Sequence, residues 1–373
     1  MQKVLYITTL SRTINAFLVP HIQFLMNQGI KVDCACFVDK EIDPTLIESG
    51  VKVYNVPFSR NPLGLNNYQA FQKLQKIQAE ENYDYIHVHT PIAGLYGRLL
   101  KLKFKNLTSI YTAHGFHFHK GGSKLGWLLY YPIERLMAPL TDMLITINGE
   151  DYERALRFPI KKVFKVNGVG IDFETYGVED LDRNALRAKY DLKPEDFVIA
   201  MIAEVNENKN HRQIIEAVHL LKQRNISVKV LCAGEGVLFD QVREVIKEKG
   251  LESNIRLLGF TQNVKEVIAV SDIGVLLSYR EGLPRSVMEL MCCKKPVIGT
   301  NIRGNRDLII HEKTGYLVPI NDALQTANYI ENFVRNSQLI ETMGAASYEA
   351  IKEFSMDTVL KQMEVLWGGA IDE

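Results

Sequence analysis

Nowhere in the 373 residues does an apolar run approach the roughly 20 residues that a membrane-crossing helix needs, so no spanning segment is expected. The opening MQKVLYITTL lacks the longer apolar core and small-residue cleavage site of a secretory signal. It is expected to form a first β-strand instead. Cysteine is scarce. Cys34, Cys36, Cys232, Cys292 and Cys293 make neither a metal-ligand spacing nor an even-numbered disulfide framework, which points to a reducing cytoplasm. Low-complexity segments and short-period repeats are missing too, and the net charge is zero.

What is there is an ordinary globular composition, 46% hydrophobic and 24% charged, in a chain longer than one hydrophobic core usually serves. Two domains follow as the expectation. Charge divides unevenly between them: residues 1–165 carry 20 Lys/Arg against 13 Asp/Glu, and the rest carries 24 against 31. That asymmetry suits different partners for the two halves, and it also suits chance plus solubility.

Strand and helix patterns alternate along the whole chain, the signature of an α/β protein with parallel sheets. In the first half, strands are expected at Lys3–Thr8, Lys31–Val38, Lys52–Val56, Tyr83–His89, Ser109–Ala113 and Met143–Ile147, six in all. Helices are expected at Asn15–Gln28 and Tyr68–Glu81. In the second half, strands are expected at Phe197–Ile202, Val228–Ala233, Ile255–Leu258, Ile273–Leu277 and Pro296–Thr300. The helices expected there are His211–Arg224, Leu238–Lys249, Ser286–Cys292 and Asn305–Ile310. The turn residues of VNGVGID put the junction near Lys165–Asp172. The expected domains are therefore 1–165 and 166–355, with a C-terminal helix over about 356–373 returning to the first. Ligands should bind between the two sheets, at the C-terminal ends of their strands.

The strongest local signal is Ser278-Tyr-Arg-Glu-Gly-Leu-Pro-Arg-Ser-Val-Met-Glu289. An apolar strand ends, a Gly-Leu-Pro loop follows, and a helix begins. Glu281 then lies in the loop and Glu289 within the helix. Backbone N–H groups at such a loop and helix start can cradle phosphate, while carboxylates accept hydrogen bonds from sugar hydroxyls. On spacing alone the two glutamates read more readily as solvated side chains flanking a tight turn.

EGLPRSVME resembles the Glu-x7-Glu signature of glycosyltransferase family 4, whose members have the GT-B fold of two Rossmann-like domains facing across a cleft. VNGVGID, AEVNENKNH, VLCAGEG, IRLLGF and NRDLIIHEKTGYLVP resemble further motifs of that family, in its order. IHVHTPIAGLYGRLL and YTAHGFHF resemble its acceptor-side strands. The likeness covers nearly the whole chain and is greatest to bacterial exopolysaccharide and capsule transferases.

The resemblance implies roles residue by residue. Glu281 would contact the donor's sugar hydroxyls, and Gly282, Leu283 and Pro284 would offer backbone amides to sugar and diphosphate. Glu289 would bind both ribose hydroxyls, and Lys209 would neutralise the departing phosphate. Phe260 would meet the base through its backbone, and His114 would face the donor sugar. Two departures stand out. The family's usual Arg five residues before the Lys is Glu204 here, so Arg280 or Arg285 becomes a candidate substitute. The family's Gly-Gly pair after the first strand is Leu10-Ser-Arg-Thr13, where Arg12 either reaches the diphosphate or acceptor or is simply solvated.

The resemblance thus implies a retaining transferase. It would move a hexose or N-acetylhexosamine from a nucleotide sugar, UDP-linked by expectation, to a lipid-linked or saccharide acceptor. No cofactor is expected. Nor is a metal: His114, His117 and His119 bring no carboxylate partner or HxxxH helix. Nucleic acid is not an expected partner. An anionic membrane surface is, through Lys101, Lys103, Lys105 and the segment Trp127–Tyr131, which is also readable as a buried helix. The expected location is the cytoplasm, at the inner face of the cell membrane. A sugar-nucleotide 2-epimerase and a catalytically silent nucleotide-sugar-binding subunit are the alternatives.

Overall fold

The computed structural model describes residues 1–371 apart from 60, 62–63, 123 and 179–180. Two parallel sheets organise the chain. The first contains β1 (Lys3–Leu10), β2 (Lys31–Phe37), β3 (Val53–Asn55), β4 (Tyr85–His89), β5 (Thr108–Ala113), β6 (Met143–Thr146) and β7 (Lys162–Lys165), in the order β3-β2-β1-β4-β5-β6-β7. The second contains β8 (Val198–Ile202), β9 (Lys229–Ala233), β10 (Ile255–Gly259), β11 (Ile273–Leu276), β12 (Val297–Thr300) and β13 (Gly315–Val318), in the order β10-β9-β8-β11-β12-β13.

Every pairing between these strands is parallel. Parallel strands are covered by helices on both faces, which is why β1 and β11 carry consecutive apolar residues and why β4, although it holds His87 and His89, is wholly buried. Strand order reverses between β1 and β4 in the first sheet, and between β8 and β11 in the second. Open α/β sheets bind ligands outside the strand ends at such a reversal.

The chain divides into one unit of Met1–Val169 with Val359–Glu373 and another of Gly170–Thr358. The C-terminal helix is Met356–Ile371; residues 372–373 of the expected 356–373 segment lie outside the described residues. From Val359 onward it belongs to the first unit, where Trp367 meets Tyr85 and His87 edge-on at 5.6 and 5.8 Å between ring centroids.

Several elements differ from the sequence expectation. The first sheet has a seventh strand, β7, and the second a sixth, β13. The single helix expected over Asn15–Gln28 is two, Ser11–Phe17 and Val19–Asn27, which meet at Leu18. Pro20 explains the break: it has no N–H to continue the first helix, but it fits the first turn of a new one. Helices Val264–Val270, Ala323–Arg335 and Gln338–Ile351 add to those expected from the sequence.

Candidate active site

In the second unit the two loops at the strand reversal interlock. The loop after β8 carries a 3-10 turn, Glu207–Lys209, capped by the Asn206 side chain, which accepts from the Lys209 N–H at 3.1 Å. The Tyr279 N–H, just beyond β11, donates to the Asn208 carbonyl at 2.8 Å, and the Asn208 amide returns a bond to the Arg280 carbonyl at 3.0 Å. These bonds bring Lys209 to Glu281, Nζ to Oε1, at 2.6 Å. The pair is largely shielded, with side chains 21% and 12% exposed.

The Glu281–Gly282 loop is backed by Gly304 at φ +78°. A Cβ on Gly304 would stand 2.7 Å from the Gly282 carbonyl oxygen, so no side chain fits there. The neighbouring Arg303 is buried and donates from Nε to the Glu281 carbonyl at 3.1 Å. Sequence reasoning missed both residues, although the Arg-Gly step at 303–304 was a visible signal.

One expectation needs correction. Pro284 is the N-cap of helix Arg285–Cys292, and proline has no N–H, so it has no backbone amide to offer a diphosphate. Gly282 and Leu283 retain theirs. Within that helix Glu289 is 7% exposed. Burial pushes its carboxyl above the usual range, opposed by a hydrogen bond from Tyr176 and by Arg285. Tyr176 Oη donates to Glu289 Oε1 at 2.6 Å, and Arg285 Nε lies 3.2 Å from the same oxygen. Tyr176 is another residue the sequence reading missed. Arg285, a candidate substitute phosphate cation, is thus engaged with Glu289, while Arg280 is exposed.

Phe260 lies elsewhere in the same unit. It is 67% exposed beyond the end of β10 and lines a cavity of about 880 Å³ with Glu204, Gly234, Glu235 and Thr261. That volume suits a nucleotide-sized ligand. Gly234, at φ +147°, shapes the wall, since a Cβ there would come within 2.0 Å of the Ala203 carbonyl oxygen. Glu204 therefore belongs to this wall, and its carboxylate stands where the family's arginine was expected.

In the first unit His114 follows β5 and is half-buried. Its Nε2 shares a 3.0 Å hydrogen bond with His89 Nδ1. His87 and His89 are buried, with ring centroids 4.3 Å apart, and His87 Nε2 bonds Thr112 Oγ1 at 2.8 Å. His21 Nε2 donates to the Val169 carbonyl at 2.9 Å. Burial, then the neighbouring His21, lowers the His114 pKa to about 4, and burial holds His87 and His89 well below the ordinary value. Arg12, beside the end of β1, pairs through Nε with Asp39, so its charge is compensated although the side chain is 54% exposed.

The expected membrane lysines also separate. Lys101 is ion-paired with Asp142, whereas Lys103 and Lys105 are exposed. The segment Trp127–Tyr131 lies in helix Lys124–Met137 and divides between the two readings: Leu128 and Leu129 are exposed, whereas Tyr130 and Tyr131 are half-buried against the core of the first unit. No described helix is long and apolar enough to cross a membrane.

Comparison with known proteins accords with this architecture. The family "Glycosyl transferases group 1" matches residues 182–350, and "Glycosyl transferase 4-like" matches 3–148. The chain is 32% identical to the putative glycosyltransferase EpsD of Bacillus subtilis (strain 168), covering all of this chain and 97% of that protein. It is 27% identical to the Escherichia coli UDP-Gal:alpha-D-GlcNAc-diphosphoundecaprenol alpha-1,3-galactosyltransferase, over 80% of this chain and 79% of that one. Among solved structures, Anabaena HepE in complex with UDP and glucose superposes with a TM-score of 0.82 at 18% identity, over 99% of this chain and 100% of that one. The chain belongs to the group 1, family 4-like glycosyl transferases, and its two parallel sheets are the GT-B fold of a glycosyltransferase.

Proposed function

We propose that the protein is a retaining transferase that moves a hexose or N-acetylhexosamine from a UDP-sugar to a hydroxyl of a lipid-linked glycan in surface-polysaccharide synthesis. The second unit takes the donor and the first takes the acceptor. The observation that carries the reading is the Lys209–Glu281 pair, presented by the two strands at the sheet reversal of the second unit. A cation and a sugar-binding carboxylate held together there suit a ligand that joins a diphosphate to a sugar. The Escherichia coli relative, named for a UDP-galactose donor and a diphosphoundecaprenol-linked acceptor, supports the substrate class.

In this mechanism the bond from the sugar's anomeric carbon to the diphosphate oxygen breaks, and the acceptor oxygen bonds to that carbon on the same face. The acceptor's proton passes to the departing phosphate. Lys209 and the Gly282 and Leu283 amides stabilise the negative charge that grows on the phosphate, Glu281 orients the sugar hydroxyls, and His114 serves as a neutral hydrogen-bonding group.

The first unit also docks on anionic lipid. Leu125, Leu128, Leu129 and Leu136 are 48–78% exposed and share one face of helix Lys124–Met137, with Lys124 and Arg135 exposed on the same helix. An exposed apolar stripe with basic neighbours suits shallow burial beneath anionic headgroups, where a lipid-linked acceptor resides.

The test pairs a panel of nucleotide sugars with polyprenyl-diphosphate glycans, follows UDP release and assigns the product's anomeric configuration by NMR. UDP release with retained configuration is expected. No release with any pair, or an inverted product, overturns the reading.

A further inference from the structure

Glu289 is held asymmetrically. Its two side-chain contacts, the Tyr176 hydroxyl at 2.6 Å and Arg285 Nε at 3.2 Å, both fall on Oε1, and Oε2 has no partner among the described residues. Tyr176 is itself fixed on the main chain, because its carbonyl accepts a bond from Cys293 Sγ at 3.0 Å, one residue past the end of the helix that carries Glu289. The short helix Phe173–Tyr176 and the helix Arg285–Cys292 are thereby tied together at both the side chain and the backbone of Tyr176.

The terminal torsion of a glutamate is broad and soft, so a carboxylate with two free oxygens samples many orientations. Pinning Oε1 removes that freedom before any ligand arrives and leaves Oε2 in one direction. Ordering a binding group in advance strengthens binding without adding a contact. We propose that Tyr176 is a positioning residue for nucleotide binding: by holding Oε1 of Glu289 it directs Oε2 to a ribose hydroxyl of the donor. This rests on the assignment of Glu289 as the ribose carboxylate. It also revises that assignment, since one oxygen is already occupied.

A second consequence concerns charge. A carboxylate accepts from ribose hydroxyls best when ionised, and burial of Glu289 opposes ionisation. Tyr176 and Arg285 counter it. Among the described residues, the titratable groups nearest the carboxylate include Cys292 and Cys293, whose thiols burial pushes up to about 12, Asp172, which acts on Cys292, and Lys295 and Lys265, which act on Cys293. The thiols are neutral at working pH. Removing the tyrosine hydroxyl leaves burial less opposed, so the carboxyl protonates at higher pH than in the wild type, and affinity is lost as pH falls.

The experiment is calorimetric titration of UDP into the full-length wild type, Tyr176→Phe and Glu289→Gln between pH 5.5 and 8.5. The readout is the ratio of variant to wild-type Kd, which cancels the ionisation of UDP itself. Phenylalanine keeps the ring, and a melting curve checks the fold. Tyr176→Phe is expected to bind about tenfold more weakly near neutral pH, the size of one hydrogen bond to a charged group. The ratio should grow toward pH 5.5 and shrink toward pH 8.5. Wild-type affinity in Tyr176→Phe with a loss in Glu289→Gln would overturn the proposal and leave the ribose assignment standing. Unchanged affinity in Glu289→Gln would remove the assignment itself. A loss in Tyr176→Phe of equal size at every pH is a packing effect, and it too would overturn the proposal.

Discussion

Lys209 and Glu281, 72 residues apart in the chain, meet at 2.6 Å between Nζ and Oε1. Without donor, the cation proposed to receive the phosphate charge is already neutralised by the carboxylate proposed to hold the sugar. A diphosphate must share Lys209 with Glu281 or draw it away. Glu281→Gln releases the lysine while keeping the side-chain shape. UDP alone should therefore bind to this variant as tightly as to the wild type, or several-fold more tightly. Turnover should fall by about 10²–10³, the usual scale for loss of a preorganised polar contact in the transition state. Calorimetry with UDP and a steady-state assay separate the two effects. Markedly weaker UDP binding in Glu281→Gln would mean that the pair does not compete with the diphosphate.

Chelation offers a second check. With the departing charge assigned to Lys209 and backbone amides, turnover is expected to persist in excess EDTA. A loss restored by one particular divalent ion would remove that assignment and reopen His114, His117 and His119 as ligands.

The buried histidines of the first unit predict how stability responds to acid. Burial lowers the pKa of His21 against the opposing Val169 hydrogen bond; burial, with repulsion from neighbouring histidines added, lowers those of His87 and His89 and brings His114 to about 4. In the unfolded chain each titrates near its ordinary value of about 6.5. Below that pH the unfolded state gains protons that the folded state does not. The stability is thus fully present above about pH 6.5 and is lost as pH falls, at up to about 1.4 kcal/mol per pH unit for each histidine. Urea unfolding at pH 7.5 and 5.0 should show the decline, and His89→Gln should make it shallower. Equal stability at both pH values would contradict the neutral, buried cluster.

Much of this was legible in the chain, for identifiable reasons. Buried parallel strands need near-continuous apolar runs, so β1, β8 and β11 stood out, and β4 was marked by its β-propensity residues. The Glu281 loop was marked by a strand end, Gly-Leu-Pro and a helix start. β7 was not visible, because Lys162-Val-Phe-Lys is four residues long, with lysines at both ends, and lies at the sheet's edge. The Tyr176–Glu289 bond joins residues 113 apart, and no local pattern encodes such a contact. Pro284 differs in kind: the motif places it in the phosphate loop, but its ring nitrogen carries no hydrogen to donate.

The last prediction concerns the exposed helix. Leu125, Leu128 and Leu136 are 69%, 78% and 70% exposed. Those positions fall at i, i+3 and i+11, one face of a helix, and no packing among the described residues covers that apolar surface. If the stripe enters the lipid, replacing Leu128 and Leu136 by serine should sharply reduce co-sedimentation with vesicles containing anionic phospholipid. Folding should be untouched, because exposed side chains contribute little to it. Lys103→Glu with Lys105→Glu should reduce binding mainly at low salt, since charge attraction fades beyond a Debye length. Lys101→Glu is a poor test, because it also breaks the ion pair with Asp142. Turnover of a short, soluble acceptor analogue should survive the leucine changes, while turnover of vesicle-embedded acceptor should fall. Equal sedimentation of wild type and the leucine variant would remove membrane docking by this helix and leave the proposed chemistry of the second unit intact.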